Sequence, residues 1–433
     1  MTETSLEQLV EERQFAGILQ THGEVFFRLS NTLLGLEPSS WNKRHFFQLI
    51  NESNTLESFL DDYGARFNRT YSFCTELVAS LRWFAMTGYS LSHAIGRLAS
   101  YGLAGTDGDQ AATEERLAGA LAFCRRTAAD LLKALRAEVR LLGIELTPEG
   151  FPESNFLPVV ARRRLPHNVG QTDPTDDEQK VAEVASKYLA ACNMLADLGV
   201  RPIADPAERR AFLKRACTEE QARVYEATVH NLQSTYDTHL QNTVAEDQDK
   251  RLPRLRGHVS AALHVLASVT YLTHFFERHE DDVRLEEVKH RIGGLVSRTE
   301  VQAVILDLLV LANRMLSDGR GVAEDLLPEY TNVQQLEIEL EDGLVMHARP
   351  AALIVGIVNH YGTPVEMEIA GQVCNAGSIL ELLVSVGSHP DVRRFTFRGD
   401  ENPLRDIRLL FESQLGEDGL DALPAQLAYL NGG

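Results

Sequence analysis

His347 stands two residues ahead of Arg349 and three ahead of Pro350, and an amphipathic run follows. A neutral imidazole is a nucleophile near neutral pH. A helix starting here offers unpaired backbone N–H groups and the positive end of its dipole, and the Arg349 guanidinium adds a further donor for anions. Pro350 suits the first helical turn, where its missing donor is not needed. The stretch from Asp342 to Ala352 thus sets a nucleophile beside a receptor for negative charge, and His347 is the first candidate for chemistry. The plain alternative is that His347 only caps a helix.

The elements that must hold this histidine follow from the period of the surrounding sequence. After Tyr330 apolar residues alternate with polar ones: Leu336, Ile338 and Leu340 interleave with Glu337, Glu339 and Glu341, as in a half-buried strand. Ala351, Ile354, Val355 and Val358 then form the inner stripe of a helix beginning near His347. Val365, Met367 and Ile369 make a second strand, Ala370-Gly371 a turn, and a third strand ends near Asn375. Ser378 opens a short helix, Phe395 and Phe397 face inward from a fourth strand, and Leu404, Ile407, Phe411 and Leu415 line a closing helix. The order is β-α-β-β-α-β-α, an α+β domain with its helices on one face of a compact sheet.

Four marks then fall in order and at matching spacing: His347-Ala-Arg-Pro-Ala-Ala352, Asn375-Ala-Gly-Ser-Ile379, Ser385-Val-Gly387 and Gly399-Asp-Glu401. Together they resemble the histidine-containing phosphocarrier (HPr) family of the bacterial phosphoenolpyruvate-dependent phosphotransferase system. The resemblance covers residues 333–415, about a fifth of the chain. It implies an open-faced sandwich, a phosphoryl group carried on His347 as a labile phosphoramidate, and Arg349 stabilising that group. It also implies enzyme I as donor, a protein acceptor or regulated target as the next partner, no cofactor, and a carrier or regulator more than a true enzyme. Ser378 takes the place of the family's regulatory serine, although Ser378-Ile-Leu-Glu381 also reads as a capping box. Val345, Met346, Leu382, Leu383 and Val386 are expected as an apolar docking patch. Three positions depart from the family pattern: Val345-Met346 replace its Gly-Leu, and Gly377 replaces its lysine. Six arginines, no lysine and twelve carboxylates between Val333 and Leu415 give a net charge of −6, so the family's basic docking rim is largely missing. The alternative is a scaffold that uses the same fold as a binding surface without phosphotransfer.

The rest of the chain is expected to be helical. A helix pair hinged near Gly23 is followed by one helix of about 35 residues running from Phe67 to Leu98, and the period restarts from Leu117 to Leu142 after a turn at Gly102 to Gly108. Thr175, Asp205, Thr218 and Thr299 each precede Glu or Gln by three residues and announce helix starts. Val301 to Leu316 is apolar almost all round and belongs at a bundle centre. The expected organisation is a helical bundle over 1–147, a proline-rich linker or crossing arm over 148–174, a second bundle or continuation over 175–328, the α+β domain over 333–415 and a tail over 416–433. This helical region would serve as an interaction or sensing module. Arg162-Arg-Arg164 within the arm reads as a small basic patch.

A net charge of −20 disfavours nucleic-acid binding. Five scattered cysteines and an acidic amino terminus suggest a reducing, cytoplasmic location. The uncharged run His258 to Phe276 is too polar for membrane insertion and reads as a buried bundle helix. Glu287-Val-Lys-His290 with His274, Glu277 and His279 does not reach the ligand set of a di-metal bundle, so no metal is expected. No P-loop, dinucleotide, zinc-protease or nucleophile-elbow motif is present.

Overall fold

Local side-chain chemistry sets several helix boundaries over the first three-quarters of the chain. The computed structural model describes residues 9–98, 101, 108–156, 174–280, 285–341 and 343–432. In chain order the helices are α1 (Glu12–His22), α2 (Glu24–Leu34), α3 (Lys43–Asp62), α4 (Ser72–Leu98), α5 (Gly108–Leu141), α6 (Pro174–Asp197), α7 (Pro206–Ala216), α8 (Glu219–His239), α9 (Val244–Gln248), α10 (Arg251–Glu280), α11 (Glu286–Leu295) and α12 (Arg298–Glu329). There follow β1 (Val333–Glu339), α13 (Ala348–Tyr361), β2 (Val365–Ile369), β3 (Gln372–Asn375), α14 (Ile379–Ser388), β4 (Arg394–Asp400) and α15 (Glu401–Glu412). The chain is thus mostly helical with one small antiparallel sheet at its carboxyl end, and the element order read from the sequence matches.

Gly23 separates α1 from α2 as expected, but the long helix from Phe67 is shorter than its period suggests. Asn68 interrupts it: its side-chain oxygen accepts from the Thr70 and Tyr71 amides at 2.9 and 3.1 Å. This side-chain turn outcompetes the helix, which starts only at Ser72 and leaves Phe67 89% exposed. At Thr218 the expected capping box closes, with the Gln221 amide donating to Oγ1 at 3.3 Å and the Thr218 amide donating to Gln221 Oε1 at 2.9 Å. Asp205 caps α7, yet Glu208 turns away to Arg201 at 2.7 Å. Two expected caps shift. The α6 helix begins at Pro174, a residue suited to the first turn, and Ser297 rather than Thr299 caps α12 by accepting from the Glu300 amide at 3.3 Å. The residues 102–107 of the expected turn and the basic patch Arg162–Arg164 lie outside the described residues.

Two compact units result. The first comprises Met1–His167, Leu195–His230 and Gly257–Met315, and in it α4 packs between α3 and α5. The second comprises Asn168–Met194, Asn231–Arg256 and Leu316–Gly433, including the whole sheet. The α12 run from Val301 to Leu316 is buried through Val301, Ile305, Leu308, Leu309, Ala312 and Leu316. One stretch among the described residues, Arg251–Arg278, is long and apolar enough to cross a membrane, and 83% of its apolar 18-residue window is buried, as in a bundle helix.

The sheet has the order β1-β4-β2-β3, all antiparallel. Register aligns Leu336, Phe397, Met367 and Cys374 in one row across all four strands, and each of these side chains is buried. The neighbouring row, Gln335, Arg398, Glu366 and Asn375, is exposed, so the alternation in the sequence is the alternation between the two faces. Helices α13, α14 and α15 contribute Ile354, Ile357, Leu382, Ile407 and Leu410 to the inner core. Residues expected as a tail pack back on this core: Leu427 is fully buried, and Tyr429 donates from its hydroxyl to Asp406 at 2.8 Å. Asp406, buried on α15, also accepts from Tyr361 at 2.7 Å.

Within this unit α6 meets the end of α13. Glu183 on α6 is buried between Lys180 and Lys187 at 2.8 and 2.6 Å. Burial alone would raise its pKa, but hydrogen bonds from the two lysines outweigh this and hold the carboxyl below its usual range. Gly362 terminates α13 in the left-handed region at φ 67°, and a β-carbon there would lie 2.5 Å from Glu183 Cγ. Replacing Gly362 with Ala is expected to lower stability by about 1–3 kcal/mol, measured as the midpoint of urea unfolding. An unchanged midpoint would contradict both the strained cap and the close approach of α6.

Candidate functional site

His347 is the N-cap of α13, in extended backbone conformation at φ −113° and ψ −168°. Its position is set from behind, because Pro350, Ala351 and Ile354 of the first turns are buried against the sheet. The imidazole is held by both nitrogens. Nδ1 accepts from the Arg349 amide at 3.3 Å, and Nε2 lies 2.9 Å from Glu417 Oε1. A carboxylate can only accept, so the neutral ring carries its proton on Nε2 and leaves the Nδ1 lone pair directed at the helix start. The His347 side chain is 49% exposed. The Arg349 side chain is exposed and makes no ion pair with a described residue.

Glu417 reaches the ring through an unusual piece of backbone. Gln414, Leu415 and Gly416 have φ of 53°, 56° and 73°, three left-handed residues in succession. For non-glycine residues this costs roughly 1–2 kcal/mol each. Leu415 is fully buried, and a buried leucine contributes about 1.5–3 kcal/mol, enough to offset most of that strain. At Gly416 a β-carbon would also stand 2.9 Å from Leu353 of α13. Glu417 was not identified from the sequence. The only local signal is Leu415-Gly416, a buried residue followed by one able to turn the chain sharply.

A pocket of about 550 Å³ opens beside the histidine, with Val345, Leu383, Val386, Asp391 and Arg393 among its walls. Of the five expected docking residues, Val345 is exposed and Leu383 and Val386 are half-buried, but Met346 and Leu382 belong to the core at 5% and 1% exposure. Met346 nevertheless reaches the wall of the pocket, whereas Leu382 does not. The surface position expected for Leu382 is corrected by helix geometry: α14 turns Leu382 and Ser385 inward and leaves Ile379, Leu380 and Val384 exposed. Periodicity could not assign this face, because Ile379 to Val386 is apolar on nearly every side. Ser378 caps α14, accepting from the Glu381 amide at 3.4 Å, while Glu381 accepts from the Asn375 amide at 3.0 Å instead of closing the box.

Chemistry-bearing residues of the first unit are arranged differently. His274 Nδ1 is 2.7 Å from Glu219 Oε1, Glu219 also takes Arg223, and Glu277 accepts from the Glu219 amide. Glu287 and His290 are exposed on α11. Among the described residues no group of three or more His, Cys, Asp or Glu is placed to hold a metal ion. A histidine pair that sequence reasoning passed over lies elsewhere in the unit: His93 and His264 have ring centroids 4.1 Å apart, and Lys43 bonds His93. Burial, reinforced by the charges of His93, Lys43 and Arg97, pushes the His264 pKa down to about 4.

No family model matches the chain, and no curated protein or solved structure matches it either.

Two expectations follow. Replacing Glu417 with Leu is expected to remove the preference of His347 for the Nε2–H tautomer, read from ¹⁵N shifts of labelled histidine; an unchanged tautomer would show that Glu417 does not set it. For His264 the unfolded chain binds protons more readily, with a pKa near 6.5, than the folded chain, at about 4. Its contribution is therefore complete above pH 6.5 and lost as pH falls toward 4, by at most about 3 kcal/mol. Unfolding free energies measured across that window should fall less steeply in His264→Gln, and identical slopes would contradict the assignment.

Proposed function

We propose that the carboxyl-terminal α+β region is an HPr-like phosphocarrier or phosphorylation-dependent regulator that accepts a phosphoryl group on Nδ1 of His347. One observation carries this reading: a half-exposed imidazole whose Nε2 faces a carboxylate, whose Nδ1 lone pair faces a helix start, and which has an exposed guanidinium two residues on. In the transfer, the Nδ1 lone pair forms a bond to phosphorus while the donor's bond to phosphorus breaks, and the donor leaves with that electron pair. The ring gains positive character as the bond forms. Glu417, already accepting from Nε2–H, stabilises that charge without having to move. The phosphoryl oxygens then meet the positive end of α13, the Arg349 amide and the Arg349 guanidinium. The donor is expected to be a phosphohistidine of an enzyme I-type protein. The β-α-β-β-α-β-α element order and the helix cap at Ser378 support the same reading.

The exposed Val345, Leu380 and Val384, with the pocket beside them, supply an apolar docking face for donor and acceptor. With a net charge of −6 over 333–415, docking would rest on apolar contact more than on charge. The same shortage of basic residues favours the second reading, a scaffold that binds through this face without phosphotransfer.

Enzyme I with radiolabelled phosphoenolpyruvate is expected to label the protein with an acid-labile, base-stable phosphate. His347→Gln should abolish the label, and Arg349→Gln should slow labelling by about 10- to 100-fold, as expected for loss of a hydrogen bond to a charged group. No labelling, under conditions that label an ordinary HPr, would reject the carrier reading in favour of the scaffold. Label persisting in His347→Gln would move the acceptor elsewhere, with Ser378 the first residue to test.

A further inference from the structure

In the first unit a cavity of about 670 Å³ opens where the starts of α1 and α4 meet the end of α3. That volume lies within the range of about 300–1,000 Å³ typical of small-molecule sites. Aromatic rings form much of its wall. Phe15 and Tyr71 are buried, with ring centroids 4.7 Å apart, and the Tyr63 ring lies 5.1 Å from Phe15. Tyr63 and Phe67 are exposed, and the Asn68 turn keeps Phe67 out of α4.

The charges around these rings have one sign. Glu12, Asp61 and Asp62 line the cavity, and among the described residues no lysine or arginine does. Their present partners leave most of that charge in place. Glu12 accepts from the neutral side chains of Asn68 and Thr70 at 2.9 and 3.0 Å. Asp61 pairs with Arg66 at 3.3 Å, both side chains being exposed, so water largely screens the pair. Asp62 is exposed and makes no hydrogen bond or ion pair with a described residue. Asp61 and Asp62 also close the last turn of α3, which carries no basic residue. That is the negative end of the helix dipole, where carboxylates destabilise and a cation is favoured. The positive starts of α1 and α4 border the cavity too, but they are already answered, by Glu12 in the first turn of α1 and by the Asn68 side chain on the Thr70 and Tyr71 amides.

We propose that this cavity binds a small organic ammonium ion, with its charge beside Asp62 and the end of α3 and its alkyl groups against Tyr63 and Phe67. A cation is attracted to the face of an aromatic ring as well as to a carboxylate, so rings and charges select the same ligand. An anion would be repelled by three carboxylates, and a neutral molecule would leave Asp62 and the α3 dipole unanswered. A bare metal ion does not suit the site, because among the described residues no group of three or more His, Cys, Asp or Glu is placed to hold one. The proposal concerns the first unit only and stands whether or not His347 carries phosphate.

Titration calorimetry of the full chain tests it with choline, with the uncharged isostere dimethylbutanol, in which carbon replaces the nitrogen, and with betaine, in which a carboxylate replaces the hydroxymethyl group. Choline is expected to bind at one saturable site, more weakly as salt is raised. Dimethylbutanol should bind at least about fivefold more weakly, and betaine more weakly than choline. Phe67→Ala and Asp62→Asn each change an exposed side chain, and each should weaken choline by about two- to fivefold with circular dichroism unchanged. Asp62→Asn should also raise the midpoint of urea unfolding, since it removes a like charge from the end of α3, and a fall would show that Asp62 serves the fold and not a ligand. The proposal is overturned equally by absence of saturable choline binding, by equal affinities for choline and dimethylbutanol, or by choline binding that neither variant weakens.

Discussion

The imidazole of His347 is fixed from two directions at once, by an amide at the start of α13 and by a carboxylate brought from beyond α15. Most of the second unit can be understood as what this double hold requires. The first turns of α13 must be buried, which Pro350, Ala351 and Ile354 accomplish. Glu417 must arrive on the opposite side of the ring, which forces three successive left-handed residues. Strain of this kind persists only where the surroundings determine it. Here Leu415 is sealed into the core, Gly416 leaves no room for a side chain beside Leu353, and the chain beyond is anchored by Leu427 and Tyr429.

That anchorage rests on a buried charge. Asp406 is nearly inaccessible, and its Oδ2 accepts from both Tyr361 and Tyr429. Burial, strengthened by hydrogen bonding to this carboxylate, pushes the Tyr361 hydroxyl up to about 12 and raises that of Tyr429 as well. Both phenols therefore remain donors through the physiological range. A buried carboxylate left without partners would cost several kcal/mol, and the two tyrosines on Oδ2, with Arg405 3.4 Å from Oδ1, supply those partners. His360 stacks on Tyr429 with ring centroids 3.7 Å apart, tying the far end of α13 to the same segment that delivers Glu417.

The sequence was most legible where a single local rule decides the outcome. Alternation in the strands named the buried row Leu336, Phe397 and Met367 because the pleat has a period of two and only one face is covered. Thr218, Asp205 and Ser378 could be read as caps because the acceptor and its donor amide lie three residues apart. Legibility failed where two local rules compete, as at Asn68, whose side-chain turn displaces a helix that hydrophobic period alone would start earlier. It failed again on α14, where apolar residues on all sides carry no phase and Leu382 was assigned to the surface. Within the candidate site, the adjacency of His347 and Arg349 was legible. The contact from Glu417 was not, because it depends on a tertiary path that no short spacing encodes.

The central claim, that Nδ1 of His347 is the acceptor because Glu417 holds the Nε2 proton, can be tested without any protein donor. The full chain would be treated with phosphoramidate, and the product located by mass spectrometry under conditions that preserve phosphohistidine. Its ring isomer would then be assigned by ³¹P and ¹⁵N NMR. The account predicts phosphate on His347 as the Nδ1 isomer, shifting toward the Nε2 isomer when Glu417 is replaced by Leu. Modification mainly at Nε2 of His347 in the unaltered protein, or at other histidines in preference to His347, would contradict it.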